Sequence, residues 1–242
     1  MGFESASQQR KEISNNDQLD SVQKTIESLR GRGELGSVLA DSYEFALAEF
    51  LEVAGVDVIA AGPDAYPKLG KIGGFVRHQS RSETGRPMVV MNVDSGLEHF
   101  DGLMREYTSS ISLCAERIGV SFEDMTPSSL AAFIFLHEMG HAYDYLENVP
   151  DGEVKRKKRF DEMATLPLPG WAPSRARHAF VPGGQLALWF EANKDALAQQ
   201  GYDSPEVMLD AQARAYRDLP SEVVADEFAV GIMQKHFDRF FS

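Results

Sequence analysis

The chain has 242 residues, 43% of them hydrophobic and 25% charged, enough to bury one sizeable core. Its formal net charge of −13 speaks against a nucleic-acid binder, which carries basic patches. A single cysteine, Cys114, excludes an intramolecular disulfide and suits a reducing compartment, and no apolar run reaches membrane-spanning length.

In chain order, residues 1–35 form a polar N-terminal segment, frayed to about residue 17. Within it, Leu19, Val22, Ile26 and Leu29 make one stripe and predict a short helix over Asp17–Arg30. The remainder, 36–242, reads as one domain with an insertion at about 149–217. Leu39, Tyr43, Ala46, Leu47, Phe50 and Leu51 keep helical spacing, which predicts a helix from Gly36 to Val53. Val56–Ala60, Ile72–His78 and Met88–Asn92 read as strands. Asp94 or Ser95 would cap a helix running from Gly96 to Ile118, with Cys114 in its core. His78 and His99 read as isolated surface or core histidines.

Thr126-Pro127 marks a helix start, Thr as N-cap and Pro as first helical residue. The helix it opens carries Ile134-Phe-Leu-His137-Glu138-Met-Gly-His141-Ala-Tyr143. Positions four apart share a helix face with Cβ atoms roughly 5–6 Å apart, so both imidazoles can reach one zinc ion. Glu138 sits one residue past the first histidine, where it addresses a metal-bound water without ligating the ion. Asp144 shares the histidine face and is either an outer partner of the site or a solvated acid. Beyond it, Lys155–Arg159 is a basic run read as a solvated face, and Leu166–Trp171 is an extended loop. Gln185–Gln199 and Pro205–Asp218 read as helices.

Pro220, preceded by Asp218 as an N-cap candidate, opens a further helix, with Glu222 in its first turn and Asp226 on the same face. His137-Glu-Met-Gly-His141 followed by Glu222-Val-Val-Ala225-Asp226 resembles the gluzincin metallopeptidases, with ImmA/IrrE-like and anthrax lethal-factor-like catalytic domains the nearest patterns. The resemblance spans about a third of the chain, and the stretch between its two motifs is longer than in ImmA/IrrE-like chains. It implies an α+β, zincin-like fold, mostly helical, with a small mixed sheet and an active-site helix. It further implies one Zn2+ per chain held by His137, His141 and Glu222, with Glu138 as general base and Asp226 as the partner of a ligand histidine. Glu227 is a rival to Glu222, lying about 100° further round the helix.

The implied activity is zinc-dependent endopeptidase action on a protein or peptide, with no nucleic-acid and no membrane partner. Tyr216, His178 and Tyr145 are the candidates for stabilising the oxyanion. Met88–Asn92 is expected at the sheet edge, where an extended substrate adds as a strand. Two other readings share the motifs: a regulatory or binding protein on the same scaffold, and a delivered toxin or effector protease. The N-terminus has no apolar stretch of Sec-signal type, so a cytoplasmic protein is expected, with a secreted effector lacking such a signal as the alternative.

Overall fold

The computed structural model describes residues 19–62, 73–76, 86–94, 96–148 and 182–241. A helix over residues 19–30 (α1) turns Val22, Ile26 and Leu29 into the main core. The chain reverses at Gly33, whose φ of 80° favours glycine, and enters α2 (Gly33–Glu49). The corner is tight: a Cβ on Gly36 would fall 2.0 Å from the Leu29 carbonyl oxygen. α2 starts and stops earlier than the Gly36–Val53 stripe predicts. It stops because Phe50 swings out to φ −137° and ψ 90°. There its ring meets Tyr143 and Phe228, with centroids 5.1 and 4.8 Å away. Aromatic pairs of this kind are worth about 0.5–1.5 kcal/mol beyond their burial. A 3-10 turn, Leu51–Gly55, follows.

Three strands form one sheet: β1 (Asp57–Ala61), β2 (Gly73–Val76) and β3 (Met88–Asn92), in the order β1–β3–β2. β1 runs parallel to β3 with Asp57 opposite Met88, and β2 runs antiparallel with Gly73 opposite Met91. The sheet is therefore mixed. Met88–Asn92 is its central strand, not the expected edge, with hydrogen-bonded neighbours on both sides and all five residues buried. Its unbroken Met-Val-Val-Met run matches burial on both faces.

The predicted single helix over Gly96–Ile118 is two helices, α3 (Glu98–Glu106) and α4 (Thr108–Ile118), hinged at Tyr107 with φ −114° and ψ 34°. The Thr108 hydroxyl donates to the Met104 and Arg105 carbonyls at 3.2 Å each, competing with the backbone ladder at the break. Leu97, rather than Asp94 or Ser95, holds the N-cap position of α3. Cys114 is buried in the core, and half-buried His99 packs edge-on against Phe100.

α5 (Pro127–Asn148) starts where Thr126-Pro127 predicts. The Ser129 amide donates to the Thr126 hydroxyl at 3.1 Å and the Thr126 amide donates to the Ser129 hydroxyl at 2.8 Å. This reciprocal cap is worth about 1 kcal/mol. Phe133, Phe135, Leu136, Met139 and Ala142 are all buried, and β2 and β3 lie against this helix. After it come α6 (Gln185–Gln199), α7 (Pro205–Arg217), α8 (Pro220–Lys235) and a last turn, α9 (Phe237–Phe240). No helix among the described residues is long and apolar enough to cross a membrane. Residues 1–18, His78, the basic run Lys155–Arg159, the Leu166–Trp171 loop and His178 lie outside the described residues.

Candidate metal centre

The site forms where α5 crosses α8. The apolar residues of α5 fix its roll against the core, so His137 and His141 emerge together, with ring centroids 4.7 Å apart and planes at 80°. α8 begins at Leu219, the N-cap residue, with Pro220 next. Asp218 does not take the cap it was expected to take. It ends α7, where its carboxylate accepts from the Arg117 guanidinium at 3.0 Å.

Close approach of the two helices depends on small residues. A Cβ added to Gly140 would lie 2.8 Å from the Ala225 Cα and 2.9 Å from its carbonyl oxygen. Only glycine facing alanine allows the backbones this near. That proximity brings Glu222 and Asp226, both 0% exposed, up to the histidines. The His137 Nε2 lies 3.3 Å from Glu222 Oε2, and the His141 Nε2 lies 3.5 Å from Glu222 Oε1.

These separations carry information. They are long for hydrogen bonds, whose N···O distances centre near 2.9–3.0 Å. A tetrahedral zinc site with ligand bonds near 2.1 Å places neighbouring ligand atoms about 3.4 Å apart. His137, His141 and Glu222 offer ligand atoms that all lie within 4.8 Å of one another, close enough to hold a metal ion. Two imidazoles and one carboxylate form a donor set that suits zinc and the neighbouring transition metals.

The other face of His137 is also occupied. Its Nδ1 lies 2.7 Å from Asp226 Oδ1. An ionised carboxylate only accepts, so Nδ1 carries the proton and Nε2 faces Glu222. Burial pushes the His137 imidazole toward its neutral form, but the Asp226 and Glu222 carboxylates outweigh this and raise its pKa to about 9. Burial acts to raise the pKa of Glu222 as well, yet the two imidazoles beside it hold it far below the carboxylate range. Asp226 is held low against the same burial penalty, by His137 and by Arg217 and Arg117.

Those two arginines carry no motif, and sequence reasoning missed them. The Arg217 Nη1 donates to Asp226 Oδ1 at 2.8 Å, and the Arg117 Nη1 donates to Asp226 Oδ2 at 2.6 Å. The only available signal was general: a buried carboxylate needs cationic partners, and Arg217 sits nine residues before Asp226 across the Leu219-Pro220 corner.

The remaining predicted residues fall as follows. Glu138 is half-buried, one position along α5 from His137. Glu227 is exposed on α8, away from the donor set to which Glu222 belongs. Asp144 and Tyr145 are half-buried on the last turns of α5, and the partner held by His137 is Asp226. Tyr216 is half-buried, with its ring 5.9 Å from the Arg217 guanidinium. Comparison with protein-family models, with curated proteins and with solved structures gives no match.

Proposed function

We propose that the chain is a zinc-dependent endopeptidase of the gluzincin type. Support comes above all from one observation: His137, His141 and Glu222, far apart in sequence, converge at ligand spacing with Glu138 beside them and outside the donor set. A structural metal site has no need of an adjacent carboxylate; a hydrolytic one does.

His137, His141 and Glu222 would hold the ion, which when bound supplies Lewis-acid polarisation of the scissile carbonyl and acidifies a water. Glu138 takes the proton of the attacking water and returns it to the leaving amine. Asp226 holds a proton on Nδ1, so Nε2 is the nitrogen that would give up its proton to ligate the ion. The buried walls of α5 and α8 exclude bulk water from His137, while His141 keeps 19% of its side chain exposed. An extended substrate adds at the outer side of β2, which among the described residues pairs only with β3 and which lies against α5. β3 is closed to that role because both its edges are paired.

The test is metal analysis of purified protein paired with Glu138→Gln. The variant should keep its zinc and lose peptide hydrolysis by roughly 10²–10⁴-fold, the range for a general base. Equal cleavage by both proteins, or zinc-loaded parent that cleaves no peptide in a broad library, would replace this proposal with that of a metal-binding regulatory protein.

A further inference from the structure

Asp226 accepts three charged hydrogen bonds from three different helices: His137 on α5, Arg117 on α4 and Arg217 at the end of α7. Both carboxylate oxygens are engaged, Oδ1 by His137 and Arg217 and Oδ2 by Arg117. One such bond leaves a carboxylate free to rotate about its Cβ–Cγ axis, whereas donors on both oxygens fix its plane. Arg217 is itself held. Its guanidinium carbon lies 5.7 Å from the centre of the Phe133 ring, one turn before His137, and its backbone carbonyl accepts from Arg117 Nη2 at 3.1 Å. Phe133 in turn stacks on His137, with centroids 6.1 Å apart.

We infer that Arg217 is the positioning residue of the metal centre, with Arg117 as its anchor: together they fix the plane of Asp226, and Asp226 fixes the ring of His137. This rests on the metal-site proposal above. It also gives the segment between the two motif helices a task, because α7, which ends that segment, delivers Arg217 to the site.

Charge alone makes the opposite forecast. A guanidinium this near the donor set repels a cation, so removing it would tighten metal binding. Positioning predicts weaker binding, because partners behind a ligand histidine typically contribute 10–100-fold in metal affinity. The sign of the change therefore separates the two.

The experiment titrates Zn2+ into the full chain against a chromophoric chelator, and Co2+ into the same proteins while the visible spectrum is recorded. Denaturant unfolding of the metal-free proteins is measured alongside. R217Q should bind zinc 10–100-fold more weakly than the parent and shift the Co2+ bands, which a loss of stability alone would not do. R217K keeps the charge and one donor but loses the planar contact with Phe133, so its zinc affinity should fall between those of R217Q and the parent. Equal or tighter binding by R217Q overturns the inference. If R217Q does not fold, R117Q decides: Arg117 is 30% exposed, its loss should weaken zinc roughly tenfold, and unchanged affinity overturns the inference. A parent chain that binds no metal would instead remove the metal site itself, and this inference with it.

Discussion

Two helix pairs of this protein are built on different principles. α5 and α8 cross at van der Waals contact inside the main core, and the functional side chains project from walls of Leu136, Met139, Ala225, Ala229 and Met233 that are essentially solvent-free. α6 and α7 share a small core of their own: Phe190, Leu197 and Met208, with Trp189 and Tyr202 packed against it. Leu188 of α6 is 62% exposed. The second pair relies on local devices. Ser204 caps α7 by accepting from the Val207 amide at 3.3 Å, and Gly201, at φ 87°, closes α6. The Tyr202 amide there reaches back to the Leu197 carbonyl at 2.9 Å. The lesson is that donor atoms needing sub-ångström placement sit on elements immobilised by the whole core. The lightly packed pair reaches the site with Arg217.

That contrast can be broken at the crossing. Gly140→Ala forces a methyl group into Ala225, and no flexible side chain is there to yield. The helices must part, at a stability loss of about 1–3 kcal/mol. Because Glu222 rides on α8, zinc affinity should fall in the same variant. Denaturant unfolding with a chelator titration checks both, and parental zinc affinity in the Gly140→Ala protein would show that the crossing does not set the donor geometry. A milder change sharpens the contrast from the other side. Phe190→Leu shrinks the small core and should lose about 1 kcal/mol, visible as faster amide exchange confined to α6 and α7, with zinc uptake unchanged. Exchange that accelerates equally in α5 would mean that the two pairs open as one unit.

The smallest effect is expected at the C-terminal end of α8, away from the metal centre, where it meets α2. The Glu49 carboxylate accepts from Lys235 and sits 3.4 Å from the His236 ring, and these partners hold its pKa below the ordinary value. A depressed carboxylate contributes stability above its unfolded pKa of about 4.3 and loses that contribution as pH falls through the folded value. Glu49→Gln should therefore lower the unfolding midpoint slightly at pH 7, and the gap from the parent should close below pH 4. A gap that persists at pH 3 would trace to packing rather than to charge.

The parts of the site on single helices were legible in the sequence because a helix repeats locally. His137 with His141, and Glu222 with Asp226, need only the 3.6-residue period to be placed on one face each. Arg117 was invisible for the matching reason: it lies 109 residues from the carboxylate it holds, and no local pattern relates them. Asp218 shows how the same residue can mislead. Its type favours an N-cap, but Arg117 captures its carboxylate and buried Leu219 takes the cap position. In the fold, the apolar stripe running from Phe100 through Ile111 hid the break at Tyr107, since both helices bury the same side. The strands were legible one by one. Their order was not, because which strand lies between the others depends on tertiary partners, although the unbroken apolar run of β3 already spoke for the middle.

The buried pairing of His137 with Asp226 spans 89 residues of chain. Ribosomes add roughly 5–20 residues per second, so α8 is synthesised about 4–18 s after α5. Through that interval the growing chain holds His137 and His141 but neither Glu222 nor Asp226. The centre cannot assemble before α8 has been made. An ion that binds only after α8 has docked would stabilise the folded chain by mass action.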